Sequence, residues 1–308
     1  MSKLVGVVAA TRHESVNALL AAYPAERDPK ILIRELARRT IAYAQSKGWS
    51  GPPFCPKMLA SLLGIRCREV THDIGGDGRI LLYPDKRLWI EYRASRMLER
   101  QRFTIFHEIA HTLFPDFCRS LPLHDVATRS RFDPEREFEY LCDIGAAEML
   151  LPFEEFRADL RKARLSFDAI HKLRRRYEAS LDATTYRVVE LSDNTAIAAL
   201  FLTDGRGSFP GSGPLWVKYA SHGILFRGFI RPGTPVPKSS IAVRCYRDGL
   251  DTTPLARETW WIYNKPRTWL VQAAKLPEVP ERPDYPKVVA LLLPSAYARH
   301  NELSHASR

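Results

Sequence analysis

Apolar residues recur every three to four positions through much of residues 28–191, which is the spacing of one face of an α-helix. Two of these segments also carry clear start signals, because Asp28 and Asp133 are good N-caps and a proline follows each of them. Glycine, proline and serine separate the segments from one another. The pattern predicts helices over these ranges: 28–49, 56–65, 95–113, 133–152, 166–179 and 180–191.

Short runs of β-branched and aromatic residues replace the helical pattern in two other parts of the chain. Residues 66–92 contain three such runs separated by turn residues, and they predict a three-stranded meander. Beyond residue 192 the strand-like runs, separated by glycine and proline, are 196–202, 215–220, 224–230, 241–246, 259–264, 268–274 and 287–293. The chain is therefore predicted to be an α+β protein whose last third forms a separate, mostly β module.

The composition indicates the class of protein and its cellular compartment. The chain has 308 residues and is 45% hydrophobic, which suits a packed globular protein. No apolar run is long enough to cross a bilayer, and the N-terminus lacks the apolar core of a signal peptide, so we expect a cytoplasmic protein that does not enter a membrane. The five cysteines are widely spaced and odd in number, which indicates reduced thiols and argues against a cysteine-based zinc site.

The charge balance is strongly basic, with a formal net charge of +11 and a pI near 9.5. Such a surface favours acidic partners, including nucleic acid, or it only aids solubility. The basic residues within 166–191 are candidate DNA contacts, and a basic, solvated pair of helices is the alternative interpretation of the same segment.

The chemistry of the chain concentrates in the motif His107-Glu108-Ile109-Ala110-His111. Residues four apart lie on one face of a helix, so the two imidazoles can reach one metal ion. Zn²⁺ binds such nitrogens, and Glu108 beside them can take a proton from a metal-bound water. The flanking residues are mostly apolar, which predicts a buried helix whose polar groups need partners. A pair of hydrogen-bonded core histidines is the structural alternative.

The predicted helix 133–152 offers the third ligand that a catalytic zinc needs. Glu139 and Asp143 are four residues apart and share a face. Glu139 could bind the metal, and Asp143 could accept the free N–H of a ligand histidine and fix its tautomer. Glu137 and Glu148 are rival third ligands.

Taken together, residues 100–114 and 139–152 resemble the ImmA/IrrE family, whose members are bacterial and phage zinc proteases of gluzincin type. The resemblance covers about residues 28–155. It implies a zincin-like core of a small three-stranded sheet with helices, and it implies Glu139 as the third ligand. Two positions depart from the usual family pattern: Cys142 stands where alanine is common, and Gly145 replaces a phenylalanine, which predicts a loss of packing.

The resemblance also implies a domain organisation for the rest of the chain. Residues 1–27 are a lead-in that includes a helix, and residues 28–155 are the zincin-like metallopeptidase domain. Residues 156–191 resemble the helix-turn-helix segment that often follows in this family. Residues 192–308 are the β-rich C-terminal domain, for which a GAF-like sensor is a candidate.

The function implied is an intracellular zinc endopeptidase with Glu108 as general base. One Zn²⁺ per chain is expected, and Mn²⁺ or another divalent ion also suits such ligands. The implied substrate is a helix-turn-helix repressor or an antitoxin-like partner, cut at one site in stress response or in mobile-element or phage regulation. The alternative is a DNA-binding or partner-binding regulator in which the metal site is structural.

Two further roles are predicted near the motif. His124 and Tyr92 are candidates for stabilising the oxyanion that forms during peptide hydrolysis. The strand 87–92 precedes the motif helix and is predicted to be the sheet edge on which an extended substrate is laid.

Overall fold

The computed structural model describes residues 12–84, 86–117, 134–193, 197–204, 214–223, 225–226, 229–262, 265–279 and 285–295. The chain divides into two compact units. The first unit comprises residues 1–153 with 176–179, and the second comprises residues 154–175 with 180–308. None of the helices in the described ranges has the length and apolar character needed to cross a membrane.

The first unit contains five described helices, of which the first two begin at a side-chain cap. The five helices are α1 (Glu14–Ala22), α2 (Pro29–Ser46), α3 (Pro56–Leu62), α4 (Leu98–His111) and α5 (Pro134–Leu150). The Asp28 side chain accepts a hydrogen bond from the Lys30 N–H and so caps α2, as predicted. The motif helix α4 is two to three residues shorter at each end than the sequence pattern predicts.

A three-stranded sheet completes the first unit. Its strands are β1 (Ile65–Val70), β2 (Gly78–Leu82) and β3 (Leu88–Arg93), in the order β1-β3-β2. Strand β3 is parallel to β1 and antiparallel to β2, so the predicted meander is wrong. The central position suits β3, because it carries three consecutive buried residues, whereas β1 has a buried residue only at each end and β2 has a single buried residue.

The same strand order corrects the predicted substrate edge. Residues 87–92 lie in the middle of the sheet, where β1 and β2 already use the backbone groups of β3. Among the described strands, β1 and β2 form the two edges of this sheet. Only an edge strand leaves backbone groups for an added peptide.

Gly145 marks the closest approach between α4 and α5. A Cβ at this position would lie 3.0 Å from the Ala110 Cβ and 3.2 Å from the Leu113 Cδ1, with Ile33 of α2 at 3.3 Å. The glycine therefore allows three helices to pack closely around one point. The predicted loss of packing at this position is wrong, because a larger side chain would push α5 away from the motif helix.

The second unit contains most of the remaining helices and a five-stranded antiparallel sheet. The helices are α6 (Phe153–Arg161), α7 (Phe167–Tyr177), α8 (Leu181–Leu191) and α9 (Ile241–Asp248). The strands are β4 (Ala198–Thr203), β5 (Trp216–His222), β6 (Ala256–Ile262), β7 (Lys265–Lys275) and β8 (Val288–Pro294), in the order β5-β4-β8-β7-β6. Strand β8 is central and buried along six residues, as its unbroken apolar sequence leads one to expect.

Two of the strands predicted beyond residue 192 are not supported. Residues 241–246 lie in α9, which begins at a Ser240 cap and ends at Gly249 in the left-handed conformation. Residues 224, 227 and 228 lie outside the described residues, and the described residues of 224–230 are not in a strand. Helices α7 and α8 meet near the predicted break, where the Ser180 side chain accepts a hydrogen bond from the Ala183 N–H.

Candidate metal centre

The two motif histidines face the same side of α4. Their ring centroids are 5.0 Å apart. One potential ligand atom from each of His107, Glu108 and His111 lies within 4.8 Å of the others. Glu108 and His111 are buried, and His107 is partly buried, so the cluster sits at the surface of a packed core.

Helix α5 brings two carboxylates to these histidines. Glu139 Oε2 lies 3.0 Å from His107 Nε2, and Glu139 Oε1 lies 3.9 Å from His111 Nε2. Asp143 Oδ1 lies 2.9 Å from the other ring nitrogen of His107, Nδ1. The structure thus brings together Glu139 and Asp143 with the motif, on the sides of the imidazole that the sequence argument requires.

The donor set fits a metal ion of the zinc type. The Nε2 atoms of both histidines face Glu139. The Nδ1 atom of His107 faces Asp143, and the Nδ1 atom of His111 lies 3.5 Å from the Cys142 Sγ. Catalytic zinc sites commonly use two histidines and one carboxylate, with a further position left for water or substrate. A hydrogen bond at Nδ1 presents Nε2 to the metal, so these residues form a coherent ligand set.

Glu108 is held as a buried carboxyl with a shifted pKa. Burial raises the pKa of Glu108 to about 7; His107 and a hydrogen bond from the Ile80 N–H oppose this rise, and Glu139 adds to it. A carboxyl with a pKa near neutrality can both accept and release a proton under physiological conditions. This property suits a general base better than a permanently charged surface residue.

The pKa of His107 reflects its two carboxylate neighbours. Burial lowers this pKa, but hydrogen bonds to Asp143 and Glu139 outweigh burial and raise it to about 10. The carboxylates that favour an added proton at Nε2 also favour a metal cation there. The charge around His107 is therefore arranged for a cation.

Asp143 and Cys142 each contact the Nδ1 atom of one candidate ligand histidine, and this predicts graded effects on metal binding. Asp143→Ala should lower metal affinity by about 10–100-fold, because His107 loses a charged hydrogen-bond partner. Cys142→Ala should cost less, since a thiol is a weak acceptor. Metal titration against a competing chelator measures both affinities. Equal metal affinities for the wild type and Asp143→Ala would show that Asp143 does not contribute to metal binding.

Gly78 of β2 lets the sheet approach the motif helix. A Cβ there would lie well inside van der Waals contact of the Thr104 Cγ2, and 3.3 Å from Glu108 Oε1. Gly78→Ala should therefore destabilise the protein by about 1–3 kcal/mol and displace Glu108. Thr104→Ser removes the clashing methyl group, so the double variant should recover much of the stability in thermal unfolding. No recovery would show that the Thr104 methyl group is not the cause of the destabilisation.

The other candidates that the structure describes do not join the histidines. The hydroxyl of the buried Tyr92 is 3.5 Å from Glu69 Oε2 and bonds to Lys57, so it is directed away from the histidines. His124 lies outside the described residues. Glu137 pairs with Arg12 at 3.6 Å.

Glu148, the closer rival as third ligand, lies on a different face of α5. It is fully buried, with Oε1 2.9 Å from the Arg38 Nε and Oε2 3.6 Å from the Arg34 Nη1, both in α2. Nine residues separate it from Glu139, which is two and a half helical turns, so the two side chains point in opposite directions. Glu148 therefore ties α5 to α2 and does not reach the histidines.

Two features of the site were not foreseen from the sequence. One is the contact between Cys142 and His111, and the other is the approach of Gly78 and the Ile80 N–H to Glu108. Both depend on how separate elements pack. For the approach of β2 to Glu108, the one indication in the sequence was the glycine at the start of the strand.

Parts of the chain are similar to known proteins. Residues 63–189 match the family model of the IrrE N-terminal-like domain, Peptidase_M78. The radiation response metalloprotease IrrE of Deinococcus deserti is 31% identical over 185 residues, covering 58% of this chain and 64% of that protein. The protein of the same name from Deinococcus radiodurans is 28% identical over 167 residues, covering 50% and 49%. The chain thus spans less than two thirds of the length of either relative.

A solved structure extends the likeness in fold beyond the motif. A Mycobacterium tuberculosis transcriptional regulator matches with a TM-score of 0.54 and 14% identity, covering 93% of this chain and 94% of that one. At this identity the match shows a shared fold alone. The family model and the two relatives confirm the resemblance to ImmA/IrrE metallopeptidases that was drawn from the motifs, with residues 63–189 as the part of the chain that the family model matches.

Proposed function

We propose that the chain is a metal-dependent endopeptidase that cuts a protein substrate. The observation that carries this proposal is the position of Glu108, whose carboxyl is buried beside both histidines of a two-histidine, one-carboxylate donor set. A purely structural metal site needs ligands but no general base. The names of the two relatives, both radiation response metalloproteases, support the same activity.

His107, His111 and Glu139 would hold the metal, with zinc as the first candidate and Mn²⁺ as another ion that suits these ligands. When bound there, the ion supplies Lewis-acid polarisation of the scissile carbonyl and lowers the pKa of its water. Asp143 keeps the His107 ring in the orientation that presents Nε2, through the 2.9 Å contact at Nδ1.

Glu108 would move the proton. Its carboxylate accepts a proton from the attacking water and then passes it to the leaving amine. The Ile80 N–H fixes the position of this carboxyl by donating a hydrogen bond to it. Burial excludes bulk water and raises the pKa of Glu108 above the usual value of a carboxyl group.

Strand β2 is the best candidate for the substrate-binding edge. It pairs with β3 on one side, and no other described strand pairs with its second side. Because the Ile80 N–H is directed at Glu108, this second edge adjoins the general base. An extended peptide that adds to β2 would therefore pass the residues that act on it.

We further propose that the substrate is an intracellular repressor of helix-turn-helix type or an antitoxin-like partner, cleaved in a stress response. The term "radiation response" in the names of the relatives supports the setting. Within residues 166–191, Arg187 is buried and pairs with Glu190 at 2.8 Å, so it is not a candidate DNA contact.

A regulator with a structural metal site is the second candidate function. The solved structure that shares the fold is named a transcriptional regulator, but the likeness is one of fold alone. The buried Glu108 beside the histidines weighs against this second candidate.

The experiment that separates the two is a cleavage assay. Repressors encoded beside this chain's gene are incubated with zinc-loaded protein, with and without a chelator, and the products are analysed by mass spectrometry. Cleavage at one bond that the chelator abolishes supports the peptidase. Repressor binding without cleavage by fully zinc-loaded protein favours the regulator.

A further inference from the structure

The face of the small sheet that points away from α4 carries an ordered set of arginine and aromatic side chains. Side chains alternate between the two faces along a strand. Gly78 and Ile80 face α4, as their approach to Thr104 and Glu108 shows, so Arg79 points to the opposite face.

The strand register assembles two cross-strand rows on this face. Arg68, Glu91 and Arg79 are direct partners across β1, β3 and β2 and form the first row. Arg66 and Trp89 are partners in the second row. Tyr83 follows β2 and lies beside Trp89, with ring centroids 5.6 Å apart. We name this set the arginine face; it consists of Arg66, Arg68, Arg79, Tyr83, Trp89 and Glu91.

A buried carboxylate holds two of the arginines in place. Glu91 is 1% exposed, and it binds both Arg68 and Arg79, the latter at 2.7 Å. Burial raises the pKa of Glu91, but hydrogen bonds from these arginines outweigh burial and lower it, so the carboxylate stays ionised. The side chains of Arg68 and Arg79 remain 47% and 39% exposed. The arrangement fixes their positions without covering them.

Cations also lie over the aromatic rings. The Arg66 and Arg68 guanidinium carbons are 5.4 and 5.5 Å from the Trp89 ring centroid, and Arg68 is also 5.6 Å from the Tyr83 centroid. Stacked guanidinium and aromatic planes of this kind offer flat surfaces for nucleobases. The arginine face contains three arginines and one carboxylate, so positive charge exceeds negative charge across it.

From this juxtaposition we propose that the arginine face binds single-stranded nucleic acid. Bases stack on the Arg66–Trp89 pair and on Tyr83, while phosphates contact Arg68 and Arg79. The area of three short strands suits about two to three bases. A double helix presents its bases edge-on in grooves and would use only the charge. The site lies on the opposite side of the sheet from Glu108 and is separate from the proposed peptidase centre.

The test is fluorescence anisotropy of labelled single strands, oligo(dT) and oligo(U), with the full-length protein at several salt concentrations. Wild type should bind single strands more tightly than a duplex of equal length, and affinity should fall as salt rises. Arg66→Glu and Trp89→Ala should each weaken binding by about 10-fold or more. Arg164→Glu is the matched control, because it makes the same charge change at an exposed arginine outside the face.

Several results would overturn the proposal: tighter binding to the duplex, an equal loss in Arg164→Glu, or unchanged binding by Arg66→Glu and Trp89→Ala. Circular dichroism shows whether each variant is folded. If Trp89→Ala is unfolded, the binding affinity of Arg66→Glu alone tests the proposal. The ratio of affinities for oligo(dT) and oligo(U) separates DNA from RNA as the natural ligand. An acidic peptide that competes with the oligonucleotide more strongly than unlabelled oligonucleotide does would contradict recognition of bases.

Discussion

Replacing Glu108 by glutamine is expected to lower the rate of peptide hydrolysis by about 10²–10⁴-fold while the protein keeps its metal. Glutamine has nearly the same shape and can still contact the Ile80 N–H, but it cannot accept the proton of the attacking water. The two histidines and Glu139 are unchanged, so metal binding should persist. Cleavage rate and metal content measured on the same preparation separate the two effects.

Glu137→Gln is the matched control for this experiment. Glu137 lies on α5 and pairs with Arg12, away from the histidines, so its substitution should leave the cleavage rate within about twofold of wild type. A Glu108→Gln protein that cleaves at the wild-type rate would show that another group takes the proton. A protein that loses its metal would show instead that Glu108 is a ligand.

The second large effect concerns the buried carboxylate of Glu148. Replacing Arg34 and Arg38 together by methionine should destabilise the protein by about 3–5 kcal/mol, because it leaves Glu148 fully buried without its two cationic partners. Adding Glu148→Met removes the stranded charge, so the triple variant should recover most of this loss. Urea unfolding followed by circular dichroism measures each variant, with every transition fitted separately.

An exposed ion pair on the same helix provides the comparison. Arg39 pairs with Glu35, and the two side chains are 62% and 52% exposed. Arg39→Met should change stability by no more than about 1 kcal/mol. If the Arg34 and Arg38 double variant lost no more stability than Arg39→Met, the contacts of Glu148 with these two arginines would not be what holds α5 against α2.

Local rules of sequence were sufficient for much of the motif region. The cap at Asp28 is formed by the predicted side chain, because an N-cap depends only on residues within the same turn. The four-residue spacings in α4 and α5 fixed which side chains share a face. Since one helix packs against the other, those spacings also brought Glu139 and Asp143 to His107.

Features set by contacts between distant residues were not predictable in this way. The parallel pairing of β1 with β3 depends on which strand can be buried on both sides, and the spacing of the runs does not reveal it. Residues 241–246 contain β-branched residues that suggest a strand, yet the Ser240 cap and Gly249 stop favour a helix. Gly145 stands where a phenylalanine is common in the family. The reason is the close packing of Ala110 and Leu113 against this position, which the sequence does not show.

Metal content is the most direct measurement of the central claim, that His107, His111 and Glu139 form a metal site. Four proteins are purified without chelators and supplied with zinc: wild type, His107→Ala, Glu139→Ala and the control Glu137→Ala. Their zinc content is then measured by inductively coupled plasma mass spectrometry. We expect about one equivalent of zinc in wild type and Glu137→Ala, and little in the other two. Wild type without bound metal, or Glu139→Ala with a full equivalent, would contradict the account.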